Sequence, residues 1–346
     1  LRSPGPTSFT PNSIRSPMAS RVRVGIAGTG AYLPERVVDN SYFEGIIDTS
    51  DEWIVQRTGV RERRFVAEGE NCSHLCIEAG KKALSAAGIT AEELDLIIVG
   101  TLTPDYPLPS TACLVQHGLG ATRAGAFDVA SACTGFLTAF STGEAFIGAG
   151  RAKRVMVIGA EVLSRFINLN DRGSCILFGD GAGAAVLMPH DECGQGEILR
   201  TLLGADGSGF DFIHIPAGGS AKPPSHETVE AGEHTIHLRG RDVFRFAVKH
   251  MSQLISEMME GYDEEELGVI VPHQVNRRII DAALDRLGMT DEKVIVNIQH
   301  YANTSAATVP IALDEALRAG RFEKGKLVIL VAFGAGLTWG ASLVRW

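Results

Sequence analysis

An internal repeat constrains this chain more than any other feature. The order strand, helix, strand, buried helix, strand, strand occurs twice. In the first copy these are Leu94–Gly100, Ser110–Leu119, Ala126–Val129, a helix from Cys133 to about Gly150, Arg154–Gly159 and Ala182–Met188. In the second they are Leu267–Pro272, Asn276–Leu287, Val294–Ile298, Thr304–Arg318, Lys326–Val331 and Leu337–Val344, at an offset of roughly 170 residues. The strands are short apolar runs rich in β-branched residues and bounded by Gly or Pro. Solenoid units repeat every ~20–50 residues, so so long a period predicts two similar α/β halves related by a pseudo-twofold axis.

The repeat focuses attention on one elbow. Phe127-Asp-Val-Ala-Ser-Ala-Cys-Thr-Gly-Phe136 passes from strand to helix through a run of small residues with Cys133 in the middle. A thiol near a helix N-terminus meets the positive end of the macrodipole, which favours a thiolate nucleophile. The offset 303 − 133 = 170 sets Asn303 at the matching place in the second half. His273 follows the strand that opens that half, at a strand C-terminus, where open α/β sheets bind ligands. Cys133, His273 and Asn303 are therefore expected to converge on one pocket.

Composition narrows the class. The chain has 346 residues, 45% of them hydrophobic, enough for a large core. Its net charge of −9 argues against a nucleic-acid partner. No apolar run reaches the roughly 18 residues needed to span a bilayer. The six cysteines form no C-x-x-C pair and follow no secretory signal, which reads as reduced thiols in a cytoplasmic protein. Cys72 and Cys76 lie four apart on a predicted helix, Cys72–Ala87, with nothing to complete a metal set. Residues 1–17, rich in Pro and Ser, read as a leader outside the fold, with Met18 as the native start. The two halves are then 18–190 and 191–346.

Several weaker signals take bland readings. Gly28-Thr-Gly30 does not complete a dinucleotide motif, because Leu33 stands where the third Gly belongs, and a tight turn from Gly28 to Pro34 is expected. Further helices are expected at Asn40–Ile47 and Ser50–Gln56, and a solvated helix start at Asp263-Glu-Glu-Glu266. Arg61-Glu-Arg-Arg64 is either a surface cluster or a basic rim for an anionic substrate.

A thiolate at Cys133 can accept an acyl group from another thioester at nearly no net free-energy change. A neutral His273 and the Asn303 amide can donate hydrogen bonds to the carbonyl oxygen of a second substrate, stabilising an enolate. Decarboxylation of a β-carboxy thioester would supply that enolate without a general base. The three residues alone suit Cys–His–Asn hydrolysis equally well.

The residues also resemble a known family. Asp48-Thr-Ser-Asp-Glu-Trp-Ile-Val-Gln-Arg-Thr-Gly59, Asp128-Val-Ala-Ser-Ala-Cys-Thr-Gly-Phe136, Asp171-Arg-Gly173, Phe178-Gly-Asp-Gly-Ala-Gly183, Val271-Pro-His-Gln-Val-Asn276, Asn303-Thr-Ser-Ala306 and Ala332-Phe-Gly-Ala-Gly-Leu-Thr-Trp-Gly340, in this order, are similar to β-ketoacyl-acyl-carrier-protein synthase III of the thiolase-like superfamily. The similarity runs from about Val22 to Trp346.

It implies an αβαβα-layered homodimer that condenses an acetyl-coenzyme A or other short acyl primer with malonyl-acyl carrier protein, with no metal or redox cofactor. By this resemblance Cys133 is the acylated nucleophile, and His273 and Asn303 activate the malonyl group. Trp53 and Arg172 would sandwich the adenine of coenzyme A. Arg57, Asn276 and Gly240 would line its tunnel, and Arg278 would meet the carrier protein. Phe333 would stand beside the leaving carboxylate. The N–H groups of Cys133 and of the Gly334–Gly336 loop, Ala335 included, would form the oxyanion hole. Two departures stand out. The loop is commonly Phe-Gly-Gly-Gly in the family, and Ala335 would be strained if its position needs positive φ. Leu108 stands where many relatives carry a Phe that enters the partner's acyl pocket.

Overall fold

The computed structural model describes residues 22–346. The leader assigned to residues 1–17 lies outside the described residues. Nine strands form two main sheets. The first contains β1 (Val24–Tyr32), β2 (Leu96–Gly100), β3 (Gly125–Val129), β4 (Val155–Val162) and β5 (Asp180–Pro189), in the order β1-β5-β4-β2-β3. The second contains β6 (Glu197–Ala205), β7 (Leu267–Pro272), β8 (Leu327–Gly334) and β9 (Thr338–Arg345), in the order β7-β8-β9-β6. In the first sheet β4, β2 and β3 pair parallel and β5 and β1 antiparallel. In the second β7 and β8 pair parallel, and β9 and β6 antiparallel.

Among the described residues, seven helices of eight or more residues cover the sheets and the site: α1 (Asp51–Thr58), α2 (Cys72–Ala87), α3 (Thr111–Leu119), α4 (Gly135–Gly148), α5 (Gly240–Met259), α6 (Arg277–Leu287) and α7 (Thr308–Arg318). Side-chain alternation along the strands sorts the core into layers. Val155 and Val157 of β4 and Val328 and Leu330 of β8 face a central cluster with Phe136, Phe140, Val309 and Leu313 of α4 and α7. Met156 and Ile158 turn the other way, onto α2 and α3. Ile329 and Val331 do the same onto α5 and α6. The order is helix, sheet, helix pair, sheet, helix: five layers. Strands buried on both faces must be apolar at nearly every position, which is why β2, β4 and β8 read as continuous apolar runs.

Three expectations need correction. Gly28 and Gly30 do not make a turn; β1 runs straight through them, with an irregularity between Ile26 and Gly28. Helix α2 lies so close that an added Cβ on Gly28 would be 2.4 Å from Ala87 N, and one on Gly30 2.5 Å from Ala79 O. These glycines serve packing rather than turning. Val294–Ile298 is not a strand: Val294 makes a single parallel bridge to Ile270, and Ile298–Tyr301 is a short helix. The Arg61–Arg64 segment is not a basic rim throughout. Arg63 is fully buried, donates to Asn40 Oδ1 at 2.9 Å and Ile176 O at 2.9 Å, and stacks on Phe43.

Other elements match closely. Helix α2 spans Cys72–Ala87 as its pattern requires. Of the helices predicted over Asn40–Ile47 and Ser50–Gln56, the first is only the four-residue Ser41–Glu44 and the second is Asp51–Thr58. The acidic run Asp263–Glu266 closes a capping box on one 3-10 turn. Among the described residues no helix is long and apolar enough to cross a membrane.

Candidate active site

Both elbows are built alike. Cys133 lies in a 3-10 turn, Ala132–Thr134, between β3 and α4. The second elbow is the 3-10 turn Ser305–Ala307, ahead of α7. Each turn starts on a left-handed residue, Ala132 at φ 45° and Ser305 at φ 48°. The structural offset is therefore 305 − 132 = 173, and Cys133 corresponds to Ala306 rather than Asn303. Asn303 still reaches the site, because it precedes the second elbow and bridges in parallel to Phe178. The elbows abut: a Cβ on Gly135 would lie 3.2 Å from Ala306 Cβ, and one on Gly159 2.2 Å from Ala306 O. Small residues at this junction are a steric necessity.

A cavity of 610 Å³ opens over the elbows and brings together Cys133, His273, Asn303, Phe333 and Ala335. Trp53, Arg57, Gly240, Asn276 and Arg278 line the same space. Arg172 stacks its guanidinium 3.9 Å from the Trp53 ring centroid, and Arg57 lies 5.4 Å from it. Leu108 is not brought to this cavity; it is 86% exposed at the tip of its loop.

Each polar group is held by a definite contact. His273 follows β7, fully buried, with its N–H bonded to Val331 O at 2.8 Å. Its Nδ1 meets Thr308 Oγ1 at 2.7 Å, and its Nε2 has no partner among the described residues. Burial pushes the imidazole down to a pKa of about 3, so the ring is neutral at pH 7. Phe333 packs edge-on against it, with centroids 5.5 Å apart. Asn303 Oδ1 accepts the Ser305 N–H at 2.7 Å, which leaves the NH₂ end for the cavity.

Asn276 caps α6 by accepting the Arg278 N–H at 2.9 Å and donates Nδ2 to Arg57 O at 3.0 Å. It thus ties α1 to α6 at the cavity mouth.

Two expectations about Cys133 and the Gly334–Gly336 loop change. Burial pushes the Cys133 thiol up to about 12, ahead of the hydrogen bond from Ser305 that lowers it. Ala335 is not left-handed; the positive φ falls on Gly336, at 128°. Ala335 therefore carries no such strain. Gly334 is where space is critical, because its Cβ would sit 2.8 Å from Cys133 N. Thr134 Oγ1 donates to Thr338 Oγ1 at 2.9 Å, and Thr338 Oγ1 donates to Ala335 O at 3.1 Å, stitching elbow to loop.

Sequence reasoning passed over Glu161, Ser305 and Thr308. Glu161 is fully buried on β4, one charged residue in a run of apolar ones, which was the signal available. Ending that strand at Gly159 hid it.

A half-buried thiol that shares a cavity with a neutral imidazole and a primary amide, in an αβαβα duplication, defines an acyltransferase of the thiolase-like condensing class. Comparison with known proteins narrows this. Models for "3-Oxoacyl-[acyl-carrier-protein (ACP)] synthase III" and its C-terminal part match residues 127–207 and 258–346. A β-ketoacyl-[acyl-carrier-protein] synthase III of Caldanaerobacter subterraneus is 50% identical over 95% of this chain and 99% of its own. The crystal structure of 3-oxoacyl-[acyl-carrier-protein] synthase III from Aquifex aeolicus superposes with a TM-score of 0.86 at 45% identity, covering 93% of this chain and 100% of that one. The priming β-ketosynthase of the R1128 polyketide pathway superposes with a TM-score of 0.86 at 35% identity, covering 96% and 98%. The chain belongs to the β-ketoacyl-[acyl-carrier-protein] synthase III family.

Proposed function

We propose that Cys133 carries the acyl group in the condensation that starts fatty-acid synthesis, a reaction in which acetyl-coenzyme A and malonyl-acyl carrier protein give acetoacetyl-acyl carrier protein, CO₂ and coenzyme A. The observation that carries this reading is the pairing of Cys133 with two neutral donors in one cavity. A His with a pKa of about 3 is a poor general base, which disfavours hydrolysis and favours hydrogen-bond donation.

In the first half-reaction the thiol sulfur attacks the primer's thioester carbon and coenzyme A leaves. In the second, the malonyl thioester oxygen lies between His273 Nε2–H and the Asn303 amide. Loss of CO₂ places negative charge on that oxygen, where two fixed donors stabilise it. The α-carbon then attacks the acyl-Cys133 carbon, and sulfur is the leaving group. The Nε2–H requires Nδ1 to accept from Thr308 Oγ1, which lies 2.7 Å away. Phe333 keeps the carboxylate end dry.

Trp53, Arg172, Arg57, Gly240 and Asn276 receive coenzyme A, and the exposed Arg278 at the mouth meets the acidic carrier protein. The apolar tip of the Thr103–Pro109 loop, with Leu108 86% and Tyr106 56% exposed, supports a homodimer in which this loop enters the partner. Incubation with acetyl-coenzyme A followed by intact mass measurement tests the nucleophile. An acetyl adduct lost in Cys133→Ala is expected; an adduct that persists in the variant would sink the assignment.

The polyketide-priming relative supports a second reading, in which the acceptor or primer differs. Initial rates with a series of acyl-coenzyme A primers, and with malonyl-acyl carrier protein against malonyl-coenzyme A, separate the two.

A further inference from the structure

The resting thiol raises a question of protons. Cys133 is protonated at neutral pH, and its proton must leave as sulfur bonds to carbon. His273 is too weak a base to take it. Ser305 lines the same cavity as Cys133 and draws the thiol pKa down, and its Oγ donates to Glu161 Oε1 at 3.1 Å. Glu161 is fully buried. Its Oε2 accepts from Thr103 Oγ1 at 2.7 Å, Leu102 N at 3.2 Å and Thr101 Oγ1 at 3.3 Å. Among the described residues it forms no ion pair with Lys or Arg. A carboxyl kept inside a core by hydroxyls and N–H groups alone is expensive unless it does something.

We infer that Glu161, acting through Ser305, holds the Cys133 proton while Cys133 is acylated and returns it when the product leaves. This rests on the acyl-Cys133 reading above. In acylation the Sγ–H bond breaks as the Sγ–C bond forms. The proton passes to Ser305 Oγ, whose own proton moves to the Glu161 carboxylate. The C–S bond to coenzyme A breaks, and the coenzyme thiolate takes a proton from solvent. In condensation CO₂ leaves, the new C–C bond forms, and Cys133 departs as a thiolate. Glu161 gives its proton back along the same path, restoring carboxylate and thiol. One proton is consumed per turnover, as the overall stoichiometry requires.

Supporting the geometry, burial pushes the Glu161 carboxyl up to about 7, poised to gain and lose a proton near neutral pH. The titratable group facing it from the first elbow is Cys133; the second elbow contributes Ser305 and Ala306, which do not titrate. From the segment after β2 come Thr101 and Thr103, with Cys72 of α2 reaching Thr101 Oγ1 at 3.5 Å.

The test is single-turnover acetylation of Cys133, followed by mass across pH 5.5–8.5, for wild type, Glu161→Gln and Ser305→Ala; these pH limits bracket the range about neutrality in which general acid–base groups work. In wild type the rate should rise with pH through about 7 as the carboxylate appears. Glu161→Gln should slow acetylation about 100-fold and flatten that rise, and Ser305→Ala should do the same. A merely structural role would lower the rate while leaving the rise in place, and that result overturns the inference. So does an unchanged rate in either variant. Should Glu161→Gln fail to fold, Ser305→Ala decides alone. If wild type itself gains no adduct, the acyl-Cys133 reading fails first and takes the inference with it.

Discussion

At the scale of single residues, the site is a set of neutral donors whose orientation is fixed by neighbours rather than by charge. Thr308 illustrates this. Its hydroxyl lies 2.7 Å from His273 Nδ1 and 2.9 Å from Ser305 O, and in the tautomer that the reaction needs its one proton goes to Nδ1. Thr308→Val removes that donor, so the imidazole proton is free to settle on Nδ1. Decarboxylation should then fall by roughly tenfold or more, while acetylation of Cys133 is little changed. Following ¹⁴CO₂ release and adduct formation separately checks this, and equal losses in both would refute it. Ala335 makes the opposite case. Since its φ is ordinary, Ala335→Gly relieves nothing, and the condensation rate should stay within about threefold. A large gain in rate would mean that the methyl group crowds the oxyanion hole.

At the scale of elements, the strands buried on both faces were the most legible part of the sequence, because burial leaves an unbroken apolar run. Helix α2 was equally clear, from Asn71, whose side chain accepts the His74 N–H, to Gly88 in the left-handed conformation. The element β1 was misread because Gly-Thr-Gly has the local grammar of a turn. Its real determinant is a helix some 50 residues on, which no local window contains. The consequence is measurable. Gly30→Ala would drive a methyl to 2.5 Å from the Ala79 and Ala83 backbone, so one element must shift. Destabilisation of about 3 kcal/mol, seen as a lowered Tm, is expected. An unchanged Tm would show that β1 and α2 are less tightly fitted. The failed strand at Val294–Ile298 has a similar cause: its pattern is strand-like, but the segment turns into the short helix that leads to Asn303.

At the scale of the whole molecule, two buried groups tilt stability against pH in opposite directions. His273 titrates near 3 when folded and about 6.5 when unfolded, so the unfolded chain binds more protons between those values. Its contribution is lost as pH falls, by up to about 1.4 kcal/mol per pH unit. Glu161 has a folded pKa of about 7 against about 4.3 unfolded, so its contribution is lost as pH rises through that window. Between about pH 4.5 and 6.5 the two offset. His273→Asn should therefore gain stability as pH falls there, and Glu161→Gln should lose it. Urea midpoints across that range decide, and parallel curves for both variants would contradict the assignment. The sequence by itself determined the duplication, the α/β class and the Cys133 elbow, because apolar period, small-residue runs and motif order are local and additive. Only the tertiary structure decided which residues correspond across the repeat, that the thiol rests protonated, and that Glu161 and Thr308 reach the site. Those depend on how two halves press together and exclude water, and burial of that kind has no local signature in the chain.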